Sequence, residues 1–167
     1  MVVYIFDTDV LSNMLQHYYP GIFPKFWRKF DRGISRDVIT SVRQVQDELE
    51  KWGNPRIDHS WIKKNERIFT PPTEEEATYM EKILTSNDGA GLEISKKGKK
   101  RDGFLIADTW LIAKAYAMKG TVVTEETREP EFTNRIGSYS KIPDVCDNRK
   151  IPCINLEEFM SKEEWRF

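Results

Sequence analysis

Residues 2–6, Val-Val-Tyr-Ile-Phe, run apolar without alternation and end abruptly at Asp7-Thr8-Asp9. An unbroken run of β-branched and aromatic residues predicts a strand covered on both faces. Leu11, Met14, Leu15 and Tyr18 then recur at i, i+3, i+4 and i+7, the period of a short amphipathic helix, and Pro20-Gly21 stops it. Phe23, Phe26, Trp27 and Phe30 repeat that spacing, with Pro24 near the helix start and Gly33 after its end. Residues 36–40 read as a short strand. Residues 41–52 read as a helix carrying Val42, Val45, Leu49 and Trp52 and ending at Gly53.

Further on, a short helix is expected around Trp61 and Ile62. Thr73 and Glu76 form a capping box for a helix whose apolar face is Ala77, Met80 and Leu84. Residues 107–120 are a clear helix ended by Gly120. Residues 121–124 form a short strand and 125–144 read as irregular and polar. Residues 151–154 form a last strand, and Asn155 with Glu158 caps a final helix. Strand–helix alternation of this kind predicts an α/β fold, a three-layer α/β/α sandwich on a mostly parallel sheet. A length of 167 residues fits one domain over 1–167. Residues 86–103 hold four glycines and a cluster of Lys and Arg, and read as a mobile basic loop within that domain.

Composition narrows the classes. Apolar residues are 39% of the chain and charged residues 32%, so the chain is globular rather than disordered. Lys and Arg number 26 against 27 Asp and Glu, a net charge of −1, which excludes nucleic-acid binding by global charge and leaves local basic patches open. Cys146 and Cys153 read as free thiols, and with two cysteines and two histidines a zinc site is not expected. No apolar run approaches a membrane span, and the N-terminal apolar run reaches acid by Asp7. A cytoplasmic protein without membrane contact is expected.

Among so many acids, the informative ones fall on apolar faces or at strand ends. Ligands of open α/β sheets bind beyond the carboxyl ends of the strands, which is where Asp7 and Asp9 stand. At about 100° per residue, Glu48 lies some 40° outside the apolar arc of its helix, while Asp47 and Glu50 point well away. Leu111, Ile112 and Ala115 lie at +3, +4 and +7 from Asp108, which puts that carboxylate in its helix's apolar stripe, or else at a helix N-terminus where an acid is also favoured. Glu125 and Glu126 follow the strand at 121–124. Carboxylates gathered on one rim repel, and a hard divalent cation such as Mg²⁺ or Mn²⁺ relieves the repulsion with oxygen ligands alone.

At these residues the sequence resembles the PIN-domain nucleases, the family that includes the VapC-type toxins. It looks closest to a bacterial PIN-like branch long catalogued as a domain of unknown function. The matching segments are FDTDVL, SVRQVQDELEKW, ADTWLIAKAYAMKG and VVTEE, in family order, with the late KIPDVC and IPCINLEEFM. The resemblance implies a metal-dependent endoribonuclease that cuts single-stranded RNA, or a structured RNA loop, by in-line attack of water. Asp7, Glu48 and Asp108 would hold Mg²⁺ or Mn²⁺ and Glu126 would complete the set. Here the family's usual Thr-x-Asp has become Thr124-Glu125-Glu126, with Glu125 as the alternate and Asp9 as a secondary contact. Lys96, Lys97, Lys99, Lys100 and Arg101 would grip the RNA backbone. Trp27, Trp61 and Trp110 are candidates for stacking on bases, although Trp27 falls on an apolar stripe. A toxin would imply a cognate antitoxin over the acidic rim. A homodimer through apolar residues around 23–30 is a further expectation.

Two other readings start from the same residues. Asp7-Thr8-Asp9 after an apolar strand also fits the first motif of haloacid-dehalogenase-like phosphatases, with Asp7 as nucleophile. The late Gly-Asp-x-x-x-Asp of that family is not matched, since Ala107 precedes Asp108 and Ile112 stands four on. The second alternative is a PIN fold that serves as a non-catalytic binding or regulatory module.

Overall fold

The computed structural model describes residues 2–51, 57–85, 107–128 and 141–167. The basic loop with Lys96, Lys97, Lys99, Lys100 and Arg101 lies outside the described residues. The elements run β1 (Tyr4–Phe6), α1 (Thr8–His17), α2 (Pro24–Ser35), β2 (Ile39–Val42), α3 (Arg43–Lys51), α4 (His59–Lys64), β3 (Phe69–Thr70), α5 (Glu74–Thr85), α6 (Ala107–Met118), β4 (Thr121–Val123), α7 (Ile142–Asn148), β5 (Cys153–Ile154) and α8 (Leu156–Lys162).

The five strands among the described residues pair in parallel, in the order β3-β2-β1-β4-β5. With helices on both faces this is the expected three-layer α/β/α sandwich. β1 is fully buried, as its unbroken apolar run requires. Tyr4 and Phe6 project to the same face, where their rings meet Phe159 of α8 edge-on, and Phe6 also meets Phe30 of α2. α6 packs across β1, β2 and β4. The strand order reverses between β1 and β4. The segments that leave their carboxyl ends therefore turn to opposite sides and open the crevice where such sheets place ligands.

Several expected boundaries move. Gly33 lies inside α2, not after it: a Cβ there would come within 2.5 Å of Ile39 Cδ1, so the glycine serves close packing of α2 on β2. Val42 is the last residue of β2, and α3 follows without a loop. The described part of the 125–144 stretch is not all irregular, because α7 begins at Ile142 with Pro143 in its first turn. The buried face of α5 centres on Glu76, Tyr79 and Ile83, while Ala77, Met80 and Leu84 are half-buried beside it. Glu76 is buried there because Lys114 of α6 reaches it at 3.4 Å and donates to the Thr70 hydroxyl at 2.6 Å.

The tryptophans expected to stack on bases are core residues. Trp27, Trp61 and Trp110 are all buried, and Trp27 and Trp61 pack edge-to-face. Of the apolar residues expected at a dimer interface, Phe26, Trp27 and Phe30 are buried. Phe23 stays exposed, together with Ile22 and Tyr19 just before it.

Candidate active site

Asp7 ends β1 and caps α1. Its backbone N–H donates to Val123 O across the β1–β4 ladder, and its Oδ1 accepts from the Thr8 amide at 2.6 Å. The local sequence dictates this arrangement: a buried strand stops at a residue whose side chain can satisfy the orphan amides of the next helix. Its Oδ2 accepts from the Thr124 hydroxyl at 2.9 Å, so the ends of β1 and β4 are pinned to each other through a carboxylate. Asp9 sits in the first turn of α1, where its Oδ2 accepts from the Glu125 amide at 3.1 Å and from Thr124 at 3.3 Å. Its Oδ1 is buried without a hydrogen-bond partner among the described residues.

Glu48 comes from α3. Its Oε2 accepts from the Thr8 hydroxyl at 2.5 Å and its Oε1 from the Ala107 amide at 3.3 Å, the first amide of α6. Asp108 follows in the first turn of α6. That helix is buried on nearly every side through Ala115, so an apolar stripe is not what sets Asp108 apart. It is the half-buried polar position where the helix meets the cleft.

The two glutamates after β4 divide. Glu125 turns to α8, accepting from the Leu156 amide at 3.1 Å. Glu126 accepts from the Ile142 amide at the start of α7 at 2.8 Å and stands 3.9 Å from Lys141 Nζ. Only Glu126 faces the cleft.

That cleft has a volume of about 480 Å³ and is lined by Asp7, Asp9, Glu48, Asp108 and Glu126, with Ser12, Asn13, Gln16 and His17 along α1. Asp7, Glu48, Asp108 and Glu126 thus arrive from four separate parts of the chain, with Asp9 beside them and Glu125 turned away. The α1 wall was not expected from the sequence. Its signal was available: Ser12, Asn13, Gln16 and His17 occupy the polar face left by Leu11, Met14 and Leu15.

Electrostatically the cleft is strained. Burial, then the neighbouring charges of Asp9 and Asp108, push the Asp7 carboxyl well above the usual carboxylate range. Burial, then Glu126 and Glu48, push Asp108 up to about 7. Asp9 is also raised, chiefly by burial, against the hydrogen bonds it accepts. Such groups favour either a proton or a cation.

Among the described residues, no three His, Cys, Asp or Glu side chains form a group arranged to hold a metal ion. The carboxylates share a cleft and not a ready coordination sphere. In donor chemistry they nonetheless fit a hard divalent cation. All are oxygen donors, three (Asp7, Asp9 and Asp108) are held above their normal range by burial and mutual repulsion, and the buried Asp9 Oδ1 has no hydrogen-bond partner among the described residues.

A family model described as "Domain of unknown function (DUF4411)" matches residues 4–167, and the chain belongs to that family. No curated protein and no solved structure matches it.

Proposed function

We propose that this DUF4411 chain is a metal-dependent endoribonuclease of the PIN type, acting on single-stranded RNA or an RNA loop. The observation that carries the reading is the convergence of Asp7, Glu48, Asp108 and Glu126 on one cleft at the β1–β4 crevice, with Asp7 and Asp108 pushed toward protonation. Asp7, Glu48 and Asp108 would hold Mg²⁺ or Mn²⁺, with Glu126 completing the set and Asp9 as a secondary contact. When bound, the ion would supply charge stabilisation for a phosphodiester and a more acidic water.

The protein's own groups do the rest. Thr8 fixes Glu48 and Thr124 fixes Asp7, so each carboxylate presents a defined face to the cleft. Asp108, pushed up to about 7 by burial and by Glu126 and Glu48 in the ion-free protein, would give up its proton as the cation arrives and hold the ion as a carboxylate. The α1 wall of Ser12, Asn13, Gln16 and His17 lines the way in for the nucleotide. If the chain is a toxin, the same acidic rim is the surface a cognate antitoxin would cover. The cytoplasm is the compartment that supplies such a substrate. Among the described residues no helix is long and apolar enough to cross a membrane.

The test is cleavage of a quenched fluorescent single-stranded RNA with millimolar Mn²⁺ or Mg²⁺. Activity that EDTA removes, and that Asp7→Asn and Asp108→Asn each lower by at least about a hundredfold, supports the reading. Equal cleavage by wild type and both variants refutes it.

A second reading, the non-catalytic module, draws on the structural work these acids perform. Glu48 holds the start of α6 and Glu126 the start of α7. It requires binding to the acidic cleft without hydrolysis, so the same assay separates the two.

A further inference from the structure

α2 carries Lys25, Arg28, Lys29 and Arg32, and Arg36 caps its end. The spacing is i, i+3, i+4, i+7 and i+11. At about 100° per residue these five cations fall within roughly 100° of arc, and they span about 17 Å of helix. Lys25, Arg28, Arg32 and Arg36 are exposed and Lys29 is half-buried. The one acid of α2, Asp31, borders the stripe, about 60° round the helix from Arg28 and about 120° from Lys25. In a chain of net charge −1, a single helix face therefore holds five positive side chains.

The stripe ends in a second cavity. It measures about 210 Å³ between α2 and α8 and is lined by Lys29, Arg32, Arg36, Glu163 and Trp165. Lys29 Nζ lies 6.0 Å from the Trp165 ring centre. One carboxylate, Glu163, also lines the cavity, opposite three cations. α1 and α2 touch near this end: His17 lines the acidic cleft, and the ring of Tyr18, the next residue, lies 4.6 Å from Phe26 and 5.5 Å from Phe23, on the apolar side of α2 away from the stripe.

We propose that the basic face of α2, from Lys25 to Arg36, binds the phosphate backbone of a single-stranded nucleic acid, with the α2–α8 cavity taking one of its phosphates. The identity of the anion rests on the nuclease reading. Two properties favour a phosphodiester chain over an acidic protein. The charges are regularly repeated along a line. Three of the five are arginines, whose planar forks match phosphate oxygens in pairs.

The test is binding of a fluorescein-labelled, mixed-sequence single-stranded RNA 20-mer in EDTA, followed by polarisation from 50 to 200 mM salt. It compares wild type, Lys25→Gln/Arg28→Gln/Arg32→Gln, and the equal-charge control Lys82→Gln/Lys119→Gln/Lys150→Gln. The stripe variant is expected to bind about tenfold or more weakly, with the slope of log K against log salt reduced by roughly 0.7 for each phosphate no longer neutralised. The control variant should bind like wild type, and all three should share one melting temperature. Poly-glutamate of similar length should compete far less well than unlabelled RNA.

Equal affinity of the stripe and control variants overturns the proposal. So does no RNA binding by wild type, or competition by poly-glutamate as strong as by RNA. RNA bound on the stripe but never cut leaves this proposal standing and removes the nuclease reading. RNA cut with the stripe variant unimpaired in binding does the reverse.

Discussion

The hydroxyl of Thr8 donates to Oε2 of Glu48 at 2.5 Å and ties the start of α1 to α3 across 40 positions of sequence. Thr8 follows Asp7 directly, so one short segment supplies one acid of the cleft and orients a second. Thr8→Val keeps the shape and removes the donor from a half-buried carboxylate. A hydrogen bond to a charged group contributes about 1.5–3 kcal/mol, and loss of a group that orients a ligand typically weakens metal binding about 10–100-fold. Urea unfolding and a Mn²⁺ titration of Thr8→Val should show both losses. An unchanged Mn²⁺ affinity would mean that the Thr8 hydroxyl does not set the position of Glu48 as a ligand.

The repelling acids set a pH dependence. Asp108 titrates near 7 in the folded protein against an ordinary value of 3.8, so between those values the native state holds more protons than the unfolded chain. Stability of the ion-free protein should therefore fall as pH rises from about 4 to about 7 and level off above, by an amount on the order of a few kcal/mol. Asp7 acts in the same direction. Asp58 and Asp147 are lowered by exposed partners and oppose it only slightly. In EDTA, Asp108→Asn should be more stable than wild type at pH 8 and have a flatter profile. Denaturant unfolding at pH 5 and pH 8 reads this directly, and a wild-type profile that rises with pH would contradict it.

Away from the cleft, Lys114 and Glu76 form a buried pair that joins α6 to α5. Lys114→Met alone leaves Glu76 buried without its cation and should cost about 3–5 kcal/mol. Adding Glu76→Gln, which removes the charge and keeps an oxygen for the Thr73 amide, should restore most of the loss. The double variant unfolding as easily as the single one would show that the pair is not what sets the cost.

Gly33 and Gly120 make a comparison of close approaches. A Cβ at Gly33 meets the end of the flexible Ile39 side chain, at 2.5 Å. One at Gly120 meets Ile5 Cδ1 at 2.5 Å and the backbone oxygen of Val3 at 2.8 Å. Ile39 can turn aside, and a helix gains roughly 1 kcal/mol from glycine to alanine, so Gly33→Ala should be nearly neutral. The Val3 carbonyl accepts from the Thr121 amide in the β1–β4 ladder and cannot yield, so Gly120→Ala should lower stability by about 1–3 kcal/mol. Thermal unfolding of the two variants should rank them in that order.

What the sequence disclosed follows from how local each signal is. β1 and its terminal Asp7, the capping boxes Thr73–Glu76 and Asn155–Glu158, and α6 each announce themselves within a few residues, and all are present. The partners of the acids were not legible. Glu126 faces the cleft and Glu125 turns away because the first amides of α7 and α8 sit beside them, and neither helix start is near in sequence. α7 was hidden by its seven-residue length, although Ile142, Val145 and Cys146 already repeat at i, i+3 and i+4. The tryptophans were open to two readings because an indole at helical spacing suits a core or a base equally, and only the packing of Trp27 on Trp61 decides. The basic face of α2 lies in the polar positions of that helix, which its apolar period alone does not reveal.

The most direct measurement is thermal unfolding of wild type, Asp7→Asn, Asp108→Asn and Glu126→Gln with and without Mn²⁺ or Mg²⁺. An ion that binds only the native state, at about a hundred times its Kd, should raise the wild-type melting temperature by roughly 5–10 °C. Each substitution should abolish most of that rise. No shift in wild type, together with a higher melting temperature in any single variant, would mean that the carboxylates only repel one another, and the metal-dependent nuclease reading would fall.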